Sequence, residues 1–351
     1  MTRLFAAVVA VLAAVAALIA VAPELLSPYL VNSAGQLAAF ALLAVSLDLI
    51  WGYAGILSLG HGLYFAIGGY VVAMHLLKHG LAVTGRVPDF MQFMGWSEFP
   101  FYWAGFESFP YAAGLTVVLT LAMSGLFGFV SFRSRVGGVY FSIITQALVY
   151  VAMLLMFRND TGFGGNNGMT GFSVIFGRDM ADPFVSRMLA IGSIVILIAA
   201  LLLCRRLVTS RVGRLVVACR DDEARLRSLG YGTLRLKLGI WCLSAVLAAV
   251  AGFLYVPQVG IINPRLLSPD VSLEIAVWVA IGGRGALSGA VIGAILVNGV
   301  KFWLSARAPE LWPFILSGLV VLVVMAFPNG LLDLGRLRPR ALKFLRPARG
   351  T

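Results

Sequence analysis

The chain has 351 residues, 60% of them hydrophobic and 12% charged, with 27 basic against 15 acidic side chains and a net charge of +12. Soluble domains run at about 45–50% apolar and about 25% charged, so this composition excludes an ordinary soluble enzyme and indicates an integral membrane protein. The basic excess does not indicate nucleic-acid binding: Lys and Arg beside cytoplasmic span ends account for it, and no basic run is interleaved with base-stacking aromatics.

A bilayer-crossing helix needs about 20 mostly apolar residues. The candidate stretches are 4–22, 30–51, 60–77, 109–132, 139–157, 188–204, 238–257, 271–283, 287–305 and 311–328. The first ends in small residues near Ala20–Ala22, as a secretory signal does, but its apolar run exceeds the usual ~7–15 residues.

The second span runs into SLDLIWGYAGILSLGHG (46–62). Asp48 lies within a turn of its end, and an acid inside a span is a functional candidate by default; water or a basic neighbour at that end could equally satisfy it. Gly52, Gly55, Gly60 and Gly62 then bend the backbone, and broken segments of this kind often line a transport route.

Two long segments, 78–108 and 158–187, follow the third and fifth spans. The first is dense in aromatics that suit the membrane–water interface. The second contains TGFGGNNG (161–168), which lacks the Lys-Ser/Thr of a phosphate-binding loop and follows no predicted strand. It reads as a structured loop that docks a partner or roofs an entrance.

Basic residues gather between spans six and seven, from Arg205 to Lys237, and again in a tail, 336–351, while the alternate loops carry acids. The positive-inside rule therefore places both termini in the cytoplasm and requires an even number of crossings. Residues 271–305 must then cross twice, turning at GGRGALSG (282–289), or form a re-entrant hairpin buried in protein. Gly285, Gly289 and Gly293 recur every four residues, a spacing that allows close helix packing.

Catalytic chemistry is not visible. Cys204, Cys219 and Cys242 have no ligand spacing. His75 and His79 are four apart but lack the third ligand a metal site usually takes. No Ser/His/Asp or paired-carboxylate constellation emerges, so a membrane enzyme is disfavoured. A self-sufficient channel or secondary transporter is the alternative class, but no inverted repeat is recognisable and intramembrane ionisable groups are few.

The informative stretch is GRLVVACRDDEARLRSLGYG (213–232), charged and isolated between apolar runs. Asp221 or Asp222 can N-cap a helix, Glu223 suits its first turn, Arg225 and Arg227 its end, and Gly230 a left-handed cap. Such a two-turn helix is unstable alone in water, so it predicts a protein partner.

Residues 213–256 resemble the cytoplasmic coupling loop of permeases in ATP-binding-cassette importers, specifically the branched-chain amino-acid family. The resemblance extends to GYAGILSLGHGLYFAIGGY (52–70), the external Asn/Gly loop and AVWVAIGGRGALSGAVIGAIL (276–296), nearly the whole chain. Residues 46–62, 87–103 and 158–172 look more like the urea-transporting branch than the amino-acid one.

The resemblance implies an all-α polytopic helical bundle of about 8–10 transmembrane helices, with residues 1–335 a single permease domain. It implies a non-catalytic subunit with no cofactor of its own, ATP and Mg²⁺ being bound by partner ATPases. The implied partners are a second homologous permease, two cytoplasmic ATPases, a periplasmic binding protein and inner-membrane lipid. Coupling to an ATPase falls to Arg220, Asp221, Asp222, Glu223, Ala224, Arg225, Leu226 and Gly230. The candidate pathway or gate residues are Asp48, Ser58, His61, Asn166, Asn167, Glu274, Gly282 and Gly283.

Overall fold

The computed structural model describes residues 2–85, 87–96 and 99–326; the basic tail expected over 336–351 lies outside the described residues. The first helix, α1 (Thr2–Val21), is apolar all round and touches the rest of the protein along one narrow seam, Phe5, Leu12 and Ile19, spaced every two turns. Ser27 caps α2 (Pro28–Asp48) by accepting the Leu30 N–H at 3.3 Å, and Pro28 opens it. From Ala38 to Asp48 every residue of α2 is buried, which marks it as a central stave. It ends in a π-helical turn, Leu49–Tyr53.

Next come α3 (His61–Thr84), the short α4 (Asp89–Met94), α5 (Phe109–Arg133) and α6 (Gly138–Met156). The expected third span, 60–77, is thus longer, because Lys78 and His79 do not break a helix and left-handed Gly85 does. Asp182 caps α7 (Pro183–Thr209) through the Phe184 N–H at 2.8 Å. Beyond it lie α8 (Arg211–Asp221), α9 (Glu223–Ser228), α10 (Thr233–Val259), α11 (Pro269–Gly282), α12 (Leu287–Ser305) and α13 (Trp312–Ala326). Among the described residues, eight helices are long and apolar enough to cross a membrane; the fold is an all-α polytopic bundle.

Helix α10 is the hub, packing on α3, α2 and α5, while α2 also packs on α7 and α12. Small residues make these approaches close. A Cβ on Gly68 would run into the Ala249 carbonyl, and one on Gly252 into the Phe65 carbonyl, so α3 and α10 meet backbone to backbone. On α5 the buried positions Ala112, Thr116, Thr120, Ser124 and Gly128 repeat every four residues, and Trp241 of α10 donates its Nε1–H to the Ser124 carbonyl at 2.9 Å.

One face carries residues 205–237, the Asp48 end of α2 and the turn between α11 and α12; we call it the basic face. With 19 residues α12 rises about 28 Å, whereas the 14 of α11 rise only about 21 Å, short of the ~30 Å hydrocarbon layer. The region is a hairpin of one long and one short helix, turning at the basic face.

On the opposite face the aromatics of 78–108 pack on one another rather than forming a belt. Trp103 is fully buried between Phe90 and Phe99, with ring centroids at 5.6 and 4.7 Å, and Lys78 Nζ donates to its carbonyl at 2.7 Å. Tyr102 donates its hydroxyl to the Thr161 carbonyl at 2.6 Å, joining this cap to the Asn/Gly loop. That loop holds the short strands β1 (Met169–Thr170), β2 (Val174–Ile175) and β3 (Arg178–Asp179). Strand β1 pairs antiparallel with β4 (Ile261–Ile262), in the register Met169↔Ile262, which ties the loop to the end of α10. Two-residue strands leave no alternating pattern to read in a sequence.

Candidate functional site

The charged stretch folds as two helices, not one. Ser210 accepts the Gly213 N–H at 3.3 Å and starts α8, a helix the sequence did not announce because it carries arginines on an amphipathic rather than apolar pattern. Asp222, with extended backbone at φ −154°, ends α8 and caps α9, its carboxylate accepting the Arg225 N–H at 2.9 Å. Arg220 and Asp221, expected within the coupling helix, therefore belong to α8.

At the other end of α9, Gly230 takes φ +89°. Its N–H bonds the Arg227 carbonyl at 2.9 Å and the Tyr231 N–H bonds the Leu226 carbonyl at 3.4 Å, the paired bonds of a Schellman cap. Glu223 turns inward: it binds Arg227 at 2.9 Å and Lys237 at the base of α10. Burial pushes its carboxyl up, but hydrogen bonds and charge from Lys237, with help from Thr233 and Arg227, outweigh that and hold it below the usual range. Leu226 is buried. What α9 turns outward is Ala224, Arg225 and Ser228, followed by Leu229, 69% exposed, and Tyr231, 47% exposed.

Arg220 points the other way. Its Nε and Nη2 hold Asp221 Oδ1 at 2.9 Å, and its Nη1 donates to the Gly52 carbonyl in the π turn at 2.8 Å. The arginine stem lies over Gly55, whose φ of +72° and missing Cβ make the space. One helical turn before Gly52, the fully buried Asp48 accepts the Gly285 N–H on Oδ1 at 2.7 Å. Gly52 and Gly285 touch so closely that a Cβ on Gly52 would collide with the Gly285 amide and the Asp48 carboxylate. Gly283 and Gly285 make the α11–α12 turn at φ +104° and +73°. Arg284, between them, lies over the Trp51 ring at 5.2 Å. Trp51, Gly52, Gly55, Arg220 and Arg284 line a cavity of about 340 Å³ beside this junction.

The structure thus brings Asp48, Gly283, Arg220 and Asp221 together, with Gly282 beside them, and leaves the other pathway candidates elsewhere. Ser58 accepts the Gly60 N–H at 3.0 Å. Around it, Thr145 of α6 accepts the Leu59 N–H at 3.2 Å and Ser142 donates to the Leu57 carbonyl at 2.7 Å. The broken segment is therefore clamped to α6 by its own backbone groups. His61 Nε2 meets Ser244 Oγ at 2.7 Å, and the single hydroxyl hydrogen of Ser244 goes to the Ser46 carbonyl at 2.5 Å. The imidazole must therefore carry its hydrogen on Nε2, and the trio staples α2, α3 and α10.

Glu274 pairs with Lys301 across the α11–α12 hairpin at 2.8 and 2.9 Å, and Lys301 lies over the Trp312 ring at 5.5 Å. Gly282 faces the Gly289 carbonyl, and Gly293 the Trp278 carbonyl, with no room for a Cβ, so Gly289 and Gly293 serve packing within the hairpin while Gly285 packs on Gly52. Asn166 and Asn167 are exposed on the opposite face. His75 Nδ1 bonds the Phe106 carbonyl at 2.8 Å and its ring stacks on His79 at 5.5 Å. Among the described residues no group of three or more His, Cys, Asp or Glu is placed to hold a metal ion.

The sequence reading singled out neither Arg284 nor Lys301, and it gave Gly52, Gly285 and Lys237 no partner. Lys301 alone carried a usable signal, a cation within a predicted span that calls for a partner.

Residues 29–325, from α2 to α13, match the family described as branched-chain amino acid transport system, permease component. The chain belongs to this permease family. It is 28% identical over 338 residues to the high-affinity branched-chain amino acid transport system permease protein LivM of Salmonella typhimurium, covering 90% of this chain and 72% of that protein. It is 24% identical to the permease protein BraD of Pseudomonas aeruginosa, covering 86% of this chain and 94% of its relative. It is also 29% identical to the autoinducer 2 import system permease protein LsrC of Escherichia coli O157:H7, over 48% of this chain and 52% of LsrC. No solved structure matches the chain. The relatives' names span two kinds of solute, so membership fixes what kind of machine this permease is and leaves its cargo open. The matched range takes in the α8–α9 pair, the Asp48 junction and the α11–α12 hairpin, whereas α1 precedes it.

Proposed function

We propose that this permease is one of two homologous membrane subunits of an ATP-driven importer in a bacterial inner membrane. In this reading α9 is its seat on a cytoplasmic ATPase. The observation that carries it is the state of α9: six residues, capped at both ends, braced from behind by Glu223 and Leu226, with Arg225, Leu229 and Tyr231 turned outward. A helix of that length does not stand alone in water, and exposed apolar side chains beside a cation suit a protein groove better than solvent. The basic residues of 205–237 support a cytoplasmic position for this face, by the positive-inside rule. The two ATPases bind ATP and Mg²⁺, and a periplasmic binding protein delivers the solute to the opposite face.

The cargo is a small solute without net charge. Urea or another short amide is the first reading, on the resemblance of 46–62, 87–103 and 158–172. A branched-chain amino acid is the second, and the names of the LivM and BraD relatives favour it. The deciding experiment is energy-dependent uptake of labelled urea and labelled leucine at micromolar concentration, in cells with and without the gene, against energy-depleted controls. Loss of urea uptake alone upholds the first reading. Loss of leucine uptake replaces it with the second. Flux that survives ATP depletion under a maintained gradient overturns the ATP-driven reading itself.

A further inference from the structure

We propose that Arg220 and Asp48 are positioning residues that carry a movement of the coupling segment into the α11–α12 hairpin, so that ATP-driven motion reaches the membrane through this junction. The inference rests on the reading of α9 as the ATPase seat.

The links are continuous and short. Asp222 is at once the end of α8 and the cap of α9, so α9 cannot tilt without moving the last turn of α8. That turn holds Arg220, whose guanidinium grips the Gly52 carbonyl at 2.8 Å while Asp221 holds its other edge at 2.9 Å. Gly52 belongs to the π turn that starts at Leu49, directly after Asp48, and Asp48 holds the Gly285 amide at 2.7 Å. Between Gly52 and Gly285 the contact is backbone on backbone. Such a junction has no side chain to swing aside, and close-packed interiors transmit displacement rather than absorb it.

The hairpin beyond the junction is built to move as one piece. The Glu274–Lys301 pair ties α11 to α12 away from the turn, and the Gly282–Gly289 and Gly293–Trp278 approaches tie them near it. Two features leave room for a second arrangement. The cavity of about 340 Å³ lies beside Arg220, and the second carboxylate oxygen of Asp48, Oδ2, is buried without a partner. In the proposed second arrangement the guanidinium takes that oxygen, so the two arrangements differ in a named contact, as a switch requires.

The test uses the complete importer, co-expressed with its partner subunits and reconstituted in liposomes. Arg220→Lys keeps the charge but loses the fork that reaches carboxylate and carbonyl together. Asp48→Ala removes the acceptor for Gly285, and Asp48→Asn restores it. Four quantities are read: co-purification of the ATPase, ATP hydrolysis, uptake of labelled urea or leucine per ATP, and maleimide labelling of Arg284→Cys with and without ATP plus vanadate. The labelling is done on a background with Cys204, Cys219 and Cys242 changed to Ala.

Arg220→Lys and Asp48→Ala are expected to retain ATPase binding and hydrolysis while uptake per ATP falls about tenfold, within the usual range of coupling energies. In both, the vanadate-dependent change in labelling disappears, and Asp48→Asn recovers it. An unchanged uptake-to-ATP ratio in Arg220→Lys overturns the proposal, as does an Asp48→Asn importer no better than Asp48→Ala. A separate variant, Leu229→Asp, reports on the underlying reading: if the ATPase still co-purifies with it at wild-type yield, α9 is not the seat.

Discussion

Arg220 reaches across 168 residues of sequence to the Gly52 carbonyl, 2.8 Å away, and so fastens the basic-face helices to the end of the most deeply buried span. A guanidinium that grips backbone rather than a side chain is indifferent to the chemistry of the residue it holds. It depends instead on open backbone, which the missing Cβ of Gly55 beneath the arginine stem provides.

Gly52→Ala tests the backbone contact on the other side of that turn. The added methyl meets the Gly285 amide and the Asp48 carboxylate, so the junction must open. Overpacking of this kind costs about 1–3 kcal/mol. The expected outcome is normal membrane insertion, a lower melting temperature in detergent and loss of uptake. Gly239→Ala, with nothing near the added methyl, is the control and should match the parent.

Asp222→Ala removes the cap of α9, at a cost of about 1 kcal/mol. Hydrogen exchange over 223–231 should rise several-fold and binding of the ATPase should weaken, while the eight spans keep their protection. Asp222→Asn and Asp222→Ser should each recover most of the loss. A cap-independent helix would show the same exchange in all three variants.

The bracing of α9 depends on pH through Glu223. Its carboxyl is held below its ordinary value of 4.5 in the folded protein, so the folded state binds fewer protons than the unfolded one across that interval. The stabilisation is present in full above about pH 4.5 and is lost as pH falls through the lower folded value. Proteolysis at 223–231 should therefore accelerate on acidification below pH 4.5, and Glu223→Gln should cleave faster at neutral pH and respond less to acid.

Glu274→Gln leaves Lys301 without its partner in a span. Breaking a fully buried pair costs about 3–5 kcal/mol; here the cost should be smaller, because the Lys301 side chain is 31% exposed. The double variant Glu274→Gln/Lys301→Met should be more stable than Glu274→Gln alone. Thermal unfolding of the four members of the cycle gives the coupling directly.

Much of the architecture was readable because apolar length survives any rearrangement of contacts: among the described residues, eight of the expected stretches are helices long enough to cross. The site was less readable, and Asp48 shows why. Its expected partner was water or a basic side chain, but it is the amide of Gly285, a group every residue except proline possesses and no sequence advertises. The same holds for the clamp on 57–59, where Ser142 and Thr145 bind backbone 85 and 86 residues away. The caps of α9 were readable, since capping is local: Asp222 and Gly230 lie within three residues of the groups they serve. Helix α8 was not, because its reason to be helical is the surface it covers.

The narrow seam of α1 has a bearing on how the protein is made. Helix α1 packs chiefly on α7, which begins only at Pro183, and to a lesser extent on α12. During synthesis the helix must therefore wait, through four intervening spans, for the surface it will lean on. Only a segment content in lipid by itself can do so, and after Arg3 α1 carries no charged or hydrogen-bonding side chain. Its plainness is a tolerance for solitude in the bilayer, and it makes α1 the helix whose late docking could be watched in a nascent chain.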